Sequence, residues 1–154
     1  MRLLPVGLQI RPMAEEDYRD VYRLYRQLVG TGLTYRATAT QEQQEFSRIF
    51  QNFFQNPERE AYVAAVYDNV IGFVTLYYLD VFHHSGQIAN IQELVVTEEF
   101  RGRGVGKALV DFVKNKALEK HCRGLEVATD LWQSGAKSFY NKCGLHGKVL
   151  MMAT

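Results

Sequence analysis

The chain has 154 residues, 47% of them hydrophobic and 23% charged, and its net charge is +1. This length predicts one domain, residues 1–154, whose core is large enough to need neither disulfides nor a metal. No two Lys or Arg residues are adjacent. The clustered basic charge of a nucleic-acid-binding protein is therefore absent, and we expect no nucleic-acid partner.

The two cysteines and the first residues of the sequence indicate the cellular location to expect for the protein. Cys122 and Cys143 form no Cys-x-x-Cys pair, which argues against a disulfide framework or a zinc site. Their scarcity favours a reducing, cytoplasmic location. Residues 1–6 are too short for a signal peptide, and the longest apolar runs are only a handful of residues, so we expect no membrane segment.

Hydrophobic periodicity predicts the element order β-α-α-β-β-β-α-β-α-β. The predicted strands are 8–11, 61–67, 70–79, 87–96, 124–129 and 145–152, and the predicted helices are 14–29, 40–55, 107–118 and 134–142. The 61–79 segment is a β-hairpin with Asp68 and Asn69 in its turn. An antiparallel hairpin among alternating strands and helices predicts an α/β fold with a mixed sheet.

A glycine-rich turn, residues 101–106, joins an apolar strand to the helix that begins near Lys107. Its glycines, Gly102, Gly104 and Gly106, let the backbone take positive φ and approach a ligand closely. The first N–H groups of the following helix lack intrahelical partners and lie at the positive end of its dipole. The turn is therefore a predicted phosphate or pyrophosphate site, to which Arg101 and Arg103 add positive charge.

Two common nucleotide motifs do not fit this turn. A P-loop needs glycine at position 101 and Ser or Thr after Lys107, where the chain has Arg101 and Ala108. The dinucleotide fingerprint needs glycine at position 107, and too few residues follow for its second half.

A third pattern does fit. Arg101-x-x-Gly104-x-Gly106, preceded by Glu93-Leu94-Val95-Val96 and followed later by Phe139-Tyr140-Asn141-Lys142-Cys143-Gly144-Leu145, resembles the GNAT N-acetyltransferase superfamily. The resemblance implies the GNAT fold, a mixed sheet of about six to seven strands flanked by four helices. It also implies that the strands before the turn and after the long helix splay apart, that acetyl-CoA binds, and that the protein is a homodimer.

The resemblance further assigns residues to the cofactor. They are Leu94, Val95, Val96, Arg101, Gly102, Arg103, Gly104, Val105, Gly106, Lys107 and Gln133. The main chain of residues 94–96 is expected to hold the pantetheine arm and polarise the thioester. Gln133 stands where many members have an asparagine.

Acetyl transfer from a thioester to an amine needs a neutral amine and a proton for the departing thiolate. Tyr140 occupies the position of the family's general acid. Glu93 is the predicted base, acting directly or through water, because a carboxylate in an apolar strand must find a partner or have its pKa raised. Gln92 is expected on the opposite face of the strand, so only one of the pair would face the acceptor.

Besides Gln92, four further residues are predicted to bind the acceptor. His83 and His84 can accept a proton or bind an anion, and no third metal ligand of matching spacing accompanies them, so no metal is expected. With the segment Ile91–Val96, this pair is similar to the aminoalkylphosphonate N-acetyltransferases. Tyr35 and Arg36 lie in the loop that borders the acceptor site in this fold, and Arg36 would suit an anionic acceptor.

The sequence thus predicts a cytoplasmic, acetyl-CoA-dependent N-acetyltransferase acting on a primary amine of a small molecule. A non-catalytic acyl-CoA sensor, a protein N-terminal or lysine acetyltransferase, and a different nucleotide enzyme stay open as alternatives.

Overall fold

The structure is a computed structural model that describes residues 3–28, 38–128 and 135–147. The strands are β1 Leu8–Pro12, β2 Arg59–Val66, β3 Asn69–Val81, β4 Gly86–Val96 and β5 Leu125–Val127. The helices are α1 Tyr18–Leu28, α2 Ala39–Phe53, α3 Val105–Glu119 and α4 Ala136–Lys142. None of the described helices is long and apolar enough to cross a membrane.

The strands form one sheet in the order β1-β2-β3-β4-β5, with β4 and β5 parallel and the other neighbours antiparallel. The predicted α/β fold with a mixed sheet and four helices is confirmed. The described residues hold five strands rather than about six to seven. Most of the predicted strand 145–152 falls outside the described residues, and residues 145–147 are not in a strand.

Each face of the sheet has its own core. Helix α3 packs on one face, where Leu76, Ile91 and Leu109 are among the fully buried side chains. Helices α1 and α2 cover the other face around Phe50 and Phe73. Burial of these apolar side chains drives the association of the layers and fixes which side of each strand faces which helix.

A β-bulge interrupts the pairing of β3 with β4. Val74 pairs with Leu94 and Leu76 pairs with Ile91, so that Thr75 lies opposite two residues. By strict alternation, Ile91 and Glu93 would share a face. The extra residue changes this: Ile91 and Leu94 pack on the α3 side, whereas Glu93 lies on the α1/α2 side.

Strands β4 and β5 pair only over a short length. The paired residues are Ala89 to Ile91 with Leu125 to Val127. Beyond Ile91, residues 92–96 of β4 have no strand partner on this side among the described residues. This open edge lies where the family resemblance implies a splay.

Candidate active site

A cavity of about 590 Å³ lies on the α3 side of the sheet, between the glycine turn and α4. The predicted site residues that line it are Leu94, Val96, Arg101, Gly102, Gly104, Gly106, Lys107 and Tyr140. Phe100, Gly135, Ala136, Phe139, Lys142 and Cys143 complete the lining. Residues far apart in the sequence therefore meet around one space.

The turn has the backbone geometry of an anion site. Gly102 and Gly104 have φ of 71° and 84°, values that glycine adopts without strain. Gly104 is the N-cap of α3, and its carbonyl accepts the N–H of Ala108 at 3.0 Å. The N–H groups of residues 105–107 therefore lie in the first turn of the helix, where no intrahelical acceptor is available. Helix N-termini of this kind bind phosphate groups.

Some residues predicted to contact the cofactor do not line this cavity. The side chains of Val95 and Val105 are buried in the two cores. Thr97 donates its N–H to Ile71 of β3, and strand alternation directs the main-chain groups of Val95 to β3 as well. The guanidinium of Arg103 lies over the ring of Phe100, 5.0 Å from its centre. Gln133 lies outside the described residues.

Alternation also directs the main chain of Leu94 and Val96 to the open edge of β4. The carbonyl of Val96 accepts a hydrogen bond from Nε of Arg101 at 2.9 Å, which ties the start of the turn to the strand. The main-chain groups of Leu94 also face this open edge, and no strand among the described residues pairs with them there.

Tyr140 lies on α4, where its ring packs against Phe139 with 5.0 Å between ring centres. Phe139 in turn sits close to Gly106, since a Cβ added there would lie 3.1 Å from Cζ of Phe139. Burial, reinforced by Cys143, raises the pKa of Tyr140 to about 12. The phenol is therefore protonated at neutral pH.

A second cavity, of about 840 Å³, lies on the opposite face of the sheet, below α1 and α2. Its apolar lining is Met13, Val21, Tyr25, Phe46, Ile49, Phe50, Phe53 and Phe73, and its polar lining is Gln41, Glu42, Gln44, Glu45, Thr75 and Glu93. Glu93 belongs to this cavity and its neighbour Leu94 to the first one. The backbone of β4 is thus the wall between the two.

Within the described part of the chain, Thr75 is the side chain that holds Glu93. The Thr75 hydroxyl donates to the Glu93 carboxylate and accepts the Glu93 N–H at 3.0 Å. Burial raises the pKa of Glu93, and the hydrogen bond from Thr75 lowers it only in part. Among the described residues Glu93 has no ion-pair partner. A carboxyl group in this setting can take up a proton more readily than an exposed one.

The prediction that Gln92 and Glu93 point to opposite faces is wrong. Gln92 donates its side-chain amide to Oδ1 of Asn90. Asn90 stands between Ala89 and Ile91, both in the α3 core, so its own side chain faces the α1/α2 side. The bulge is the cause, because it places two consecutive residues opposite Thr75.

His83 and His84 lie just before β4 and line neither of these cavities. Nε2 of His84 lies 2.9 Å from Oε1 of Glu126, and the two imidazole rings are 4.3 Å apart. The candidate ligand atoms of all three side chains lie within 4.8 Å of one another. Glu126 is thus the third potential metal ligand. It is not apparent from the sequence because it lies on β5, far along the chain from the two histidines. The other two predicted acceptor residues, Tyr35 and Arg36, lie outside the described residues.

Thr75 is one of the site residues that were not predicted from the sequence. The sequence does distinguish this residue, because Thr75 is the one short hydroxyl side chain in the apolar run 70–79. Its partnership with Glu93 depends on the pairing of β3 with β4, which hydrophobic periodicity does not specify.

The GNAT acetyltransferase family model matches residues 16–145. The chain belongs to the GNAT acetyltransferase family. As a GNAT enzyme it is an acetyl-CoA-dependent N-acetyltransferase that acts on amines, and the described fold carries the glycine turn and the late tyrosine around one cavity.

Several relatives and solved structures resemble this GNAT protein. An aminoalkylphosphonate N-acetyltransferase of Salmonella typhimurium is 28% identical over 92% of this chain and 86% of its own length. A thialysine N-epsilon-acetyltransferase of Bos taurus is 26% identical over 89% of this chain and 83% of its own. The crystal structure of glucosamine-6-phosphate N-acetyltransferase from Arabidopsis thaliana matches with a TM-score of 0.76 and 23% identity, covering 96% of this chain and 97% of that one.

Proposed function

We propose that the protein acetylates the primary amine of a small molecule, with Glu93 as base and Tyr140 as acid. The observation that carries the proposal is the arrangement along β4. Glu93 faces one cavity, Leu94 faces the other, and Tyr140 lines the latter. The relatives that act on aminoalkylphosphonate and on thialysine support a small acceptor.

The α3-side cavity fits acetyl-CoA. The N-terminus of α3, the glycines at positive φ and the lysine of the turn suit a pyrophosphate. The open edge of β4 presents the main-chain groups of Leu94 to a pantetheine arm, which carries amides of its own. Acetyl-CoA supplies the acetyl group in an activated thioester. Lys107 adds a positive charge at this end, although it also forms an ion pair with Asp111 at 2.5 Å.

The roles of the side chains follow from their surroundings. Glu93 takes a proton from the amine, directly or through one water, and its raised pKa makes it a better base than an exposed carboxylate. Tyr140 keeps its proton until the sulfur departs and then donates it. Leu94 positions the reacting carbonyl through its main chain. A cytoplasmic location and a homodimer stay predictions of this proposal.

The test is release of free thiol from acetyl-CoA with a panel of primary amines, comparing the protein with Tyr140→Phe. We expect saturable turnover with one class of amine and a kcat about 100-fold lower in the variant, the usual size of a general-acid effect. Tyr67→Phe is the matched control, because Tyr67 is 76% exposed and lines neither of the two cavities.

Two outcomes would contradict the proposal. Equal turnover by the protein and Tyr140→Phe would remove Tyr140 as the acid. Tight binding of CoA without turnover of any amine would contradict the acetyl transfer itself.

A further inference from the structure

We propose that the acceptor is a primary amine with an uncharged apolar body, either alkyl or aryl, rather than an anionic amine or an amino sugar. This inference rests on the proposed function and adds the chemical class of the acceptor. It comes from the walls and the charges of the α1/α2-side cavity.

The apolar part of this cavity's lining is mainly aromatic. The Phe46 ring lies 4.8 Å from the ring of Tyr25 and 6.1 Å from that of Phe50, measured between ring centres. Ile49, on the same helix, is 40% exposed and lines the cavity. An apolar wall of this kind gains free energy from an apolar ligand and offers few hydrogen bonds to a polyhydroxylated one.

The charged side chains of the described lining are all carboxylates: Glu42, Glu45 and Glu93. Two of them are already neutralised, since Glu42 pairs with Arg26 at 3.0 Å and Glu45 pairs with Arg48 at 2.9 Å. Glu93 is left to bind the ammonium group or take its proton. No Lys, Arg or His side chain belongs to this described part of the lining, so these residues offer a phosphate or phosphonate no countercharge, and placing an anion against them is costly.

The position of Glu93 fixes the orientation of such an acceptor. The carboxylate and Thr75 form one polar corner of an otherwise apolar floor that includes Phe73. The amine therefore points to β4 and its open edge, and the apolar body extends below α2 toward Ile49 and Phe53. A volume of about 840 Å³ leaves room for a chain of several carbons.

The experiment measures kcat/KM for a series of n-alkylamines from propyl to hexyl, and for 2-phenylethylamine, 2-aminoethylphosphonate and glucosamine 6-phosphate. Each methylene that becomes buried should raise kcat/KM about fourfold. We expect hexylamine and 2-phenylethylamine to exceed both anionic amines by at least about tenfold.

Ile49→Ala is the variant that locates the apolar body. It should lower kcat/KM about fivefold for hexylamine and by a smaller factor for propylamine, because the longer chain buries more apolar surface against this wall. Leu118→Ala is the matched control: Leu118 is 70% exposed on α3 and does not line the cavity.

The outcomes separate this inference from the function on which it rests. A flat alkylamine series, or a preference for 2-aminoethylphosphonate or glucosamine 6-phosphate, would overturn the apolar acceptor and leave the acetyltransferase intact. Equal loss with propylamine and hexylamine in Ile49→Ala would overturn the assigned orientation. No turnover with any amine would contradict the proposed function itself.

Discussion

At the scale of single residues, Glu93 is placed where it costs stability. Its carboxyl group is largely buried, a hydroxyl is its side-chain partner, and burial raises its pKa. A carboxyl with a raised pKa in the folded state stabilises the fold below the unfolded-state pKa of about 4.3. That contribution is lost as the pH rises through the folded-state pKa. At neutral pH the ionised group therefore reduces the free energy of unfolding.

Glu93→Gln should separate stability from activity. The substituted amide still accepts the Thr75 hydrogen bond but carries no charge, so the variant should melt at a higher temperature than the protein at pH 7 to 8. The difference should vanish near pH 4, where Glu93 is protonated in the folded state. The kcat should fall about 100-fold or more, because the substitution removes the proposed base. Thermal melting across pH and thiol release measure the two effects.

The control is Glu58→Gln, which changes an exposed carboxylate outside both cavities. A Glu93→Gln variant that keeps full activity would exclude Glu93 as the base. A variant that melts lower than the protein at neutral pH would show that the carboxylate has a stabilising partner.

Glu93 was a candidate because an acid in an apolar strand is visible in the sequence, and Tyr140 because it occupies the position of the general acid in the family that the sequence resembles. Thr75 and Glu126 were not identified, since their importance comes from the strand that pairs beside them.

At the scale of elements, the bulge in β4 decides which side chains face which cavity. Helices and strands were predicted well because hydrophobic periodicity is a property of neighbouring residues. The bulge depends on how β3 and β4 pair, and alternation along one strand gave the wrong side for Gln92. Strand pairing also determines the position of Val95, one of the residues predicted to bind the cofactor. Its main chain is directed to β3 and its side chain lies in the α1/α2-side core.

Thr75→Val should weaken this element. The substitution keeps the shape of the side chain and leaves the Glu93 N–H and carboxylate without their partner, a loss of about 1–3 kcal/mol for a buried donor. The pKa of Glu93 should rise further, since the hydrogen bond that lowers it is removed. Urea unfolding measures the loss, and Thr75→Ser should restore most of it. Equal stability of the three proteins would mean that the bulge does not depend on the hydroxyl.

At the scale of the whole molecule, the sheet separates two cavities, and each should respond to its own ligand. The sequence indicated many residues of the α3-side cavity but, among the described lining of the α1/α2-side cavity, only Glu93. It did not indicate the wall between the two cavities, because the sheet order and the short β4–β5 pairing are long-range features. Binding to the folded state alone raises its stability through mass action.

CoA at 100 times its dissociation constant should stabilise the fold by about 2.7 kcal/mol, which corresponds to a rise in Tm of about 5–10 °C for a chain of this size. Gly104→Ala should reduce this rise at the same CoA concentration. The new Cβ would sit at φ 84° and 3.2 Å from Cδ2 of Leu4, which distorts the turn. Differential scanning calorimetry with and without CoA gives both values.

Gly124→Ala is the matched glycine control, because no atom lies within 4 Å of a Cβ added there. Glu93→Gln should also keep the full rise, since Glu93 lines the other cavity. A reduced rise in Glu93→Gln would mean that the two cavities are coupled.

Because β4 separates the two cavities, their linings can evolve independently. The turn and α4 supply most of the lining of the α3-side cavity, and α1 and α2 supply most of the lining of the α1/α2-side cavity. Under the proposed function, substitutions in α1 and α2 can therefore alter which molecule is accepted while the α3-side cavity keeps its lining. A duplicated copy of this chain could thus acquire a new specificity through changes in two helices, without having to evolve the use of its acetyl donor again.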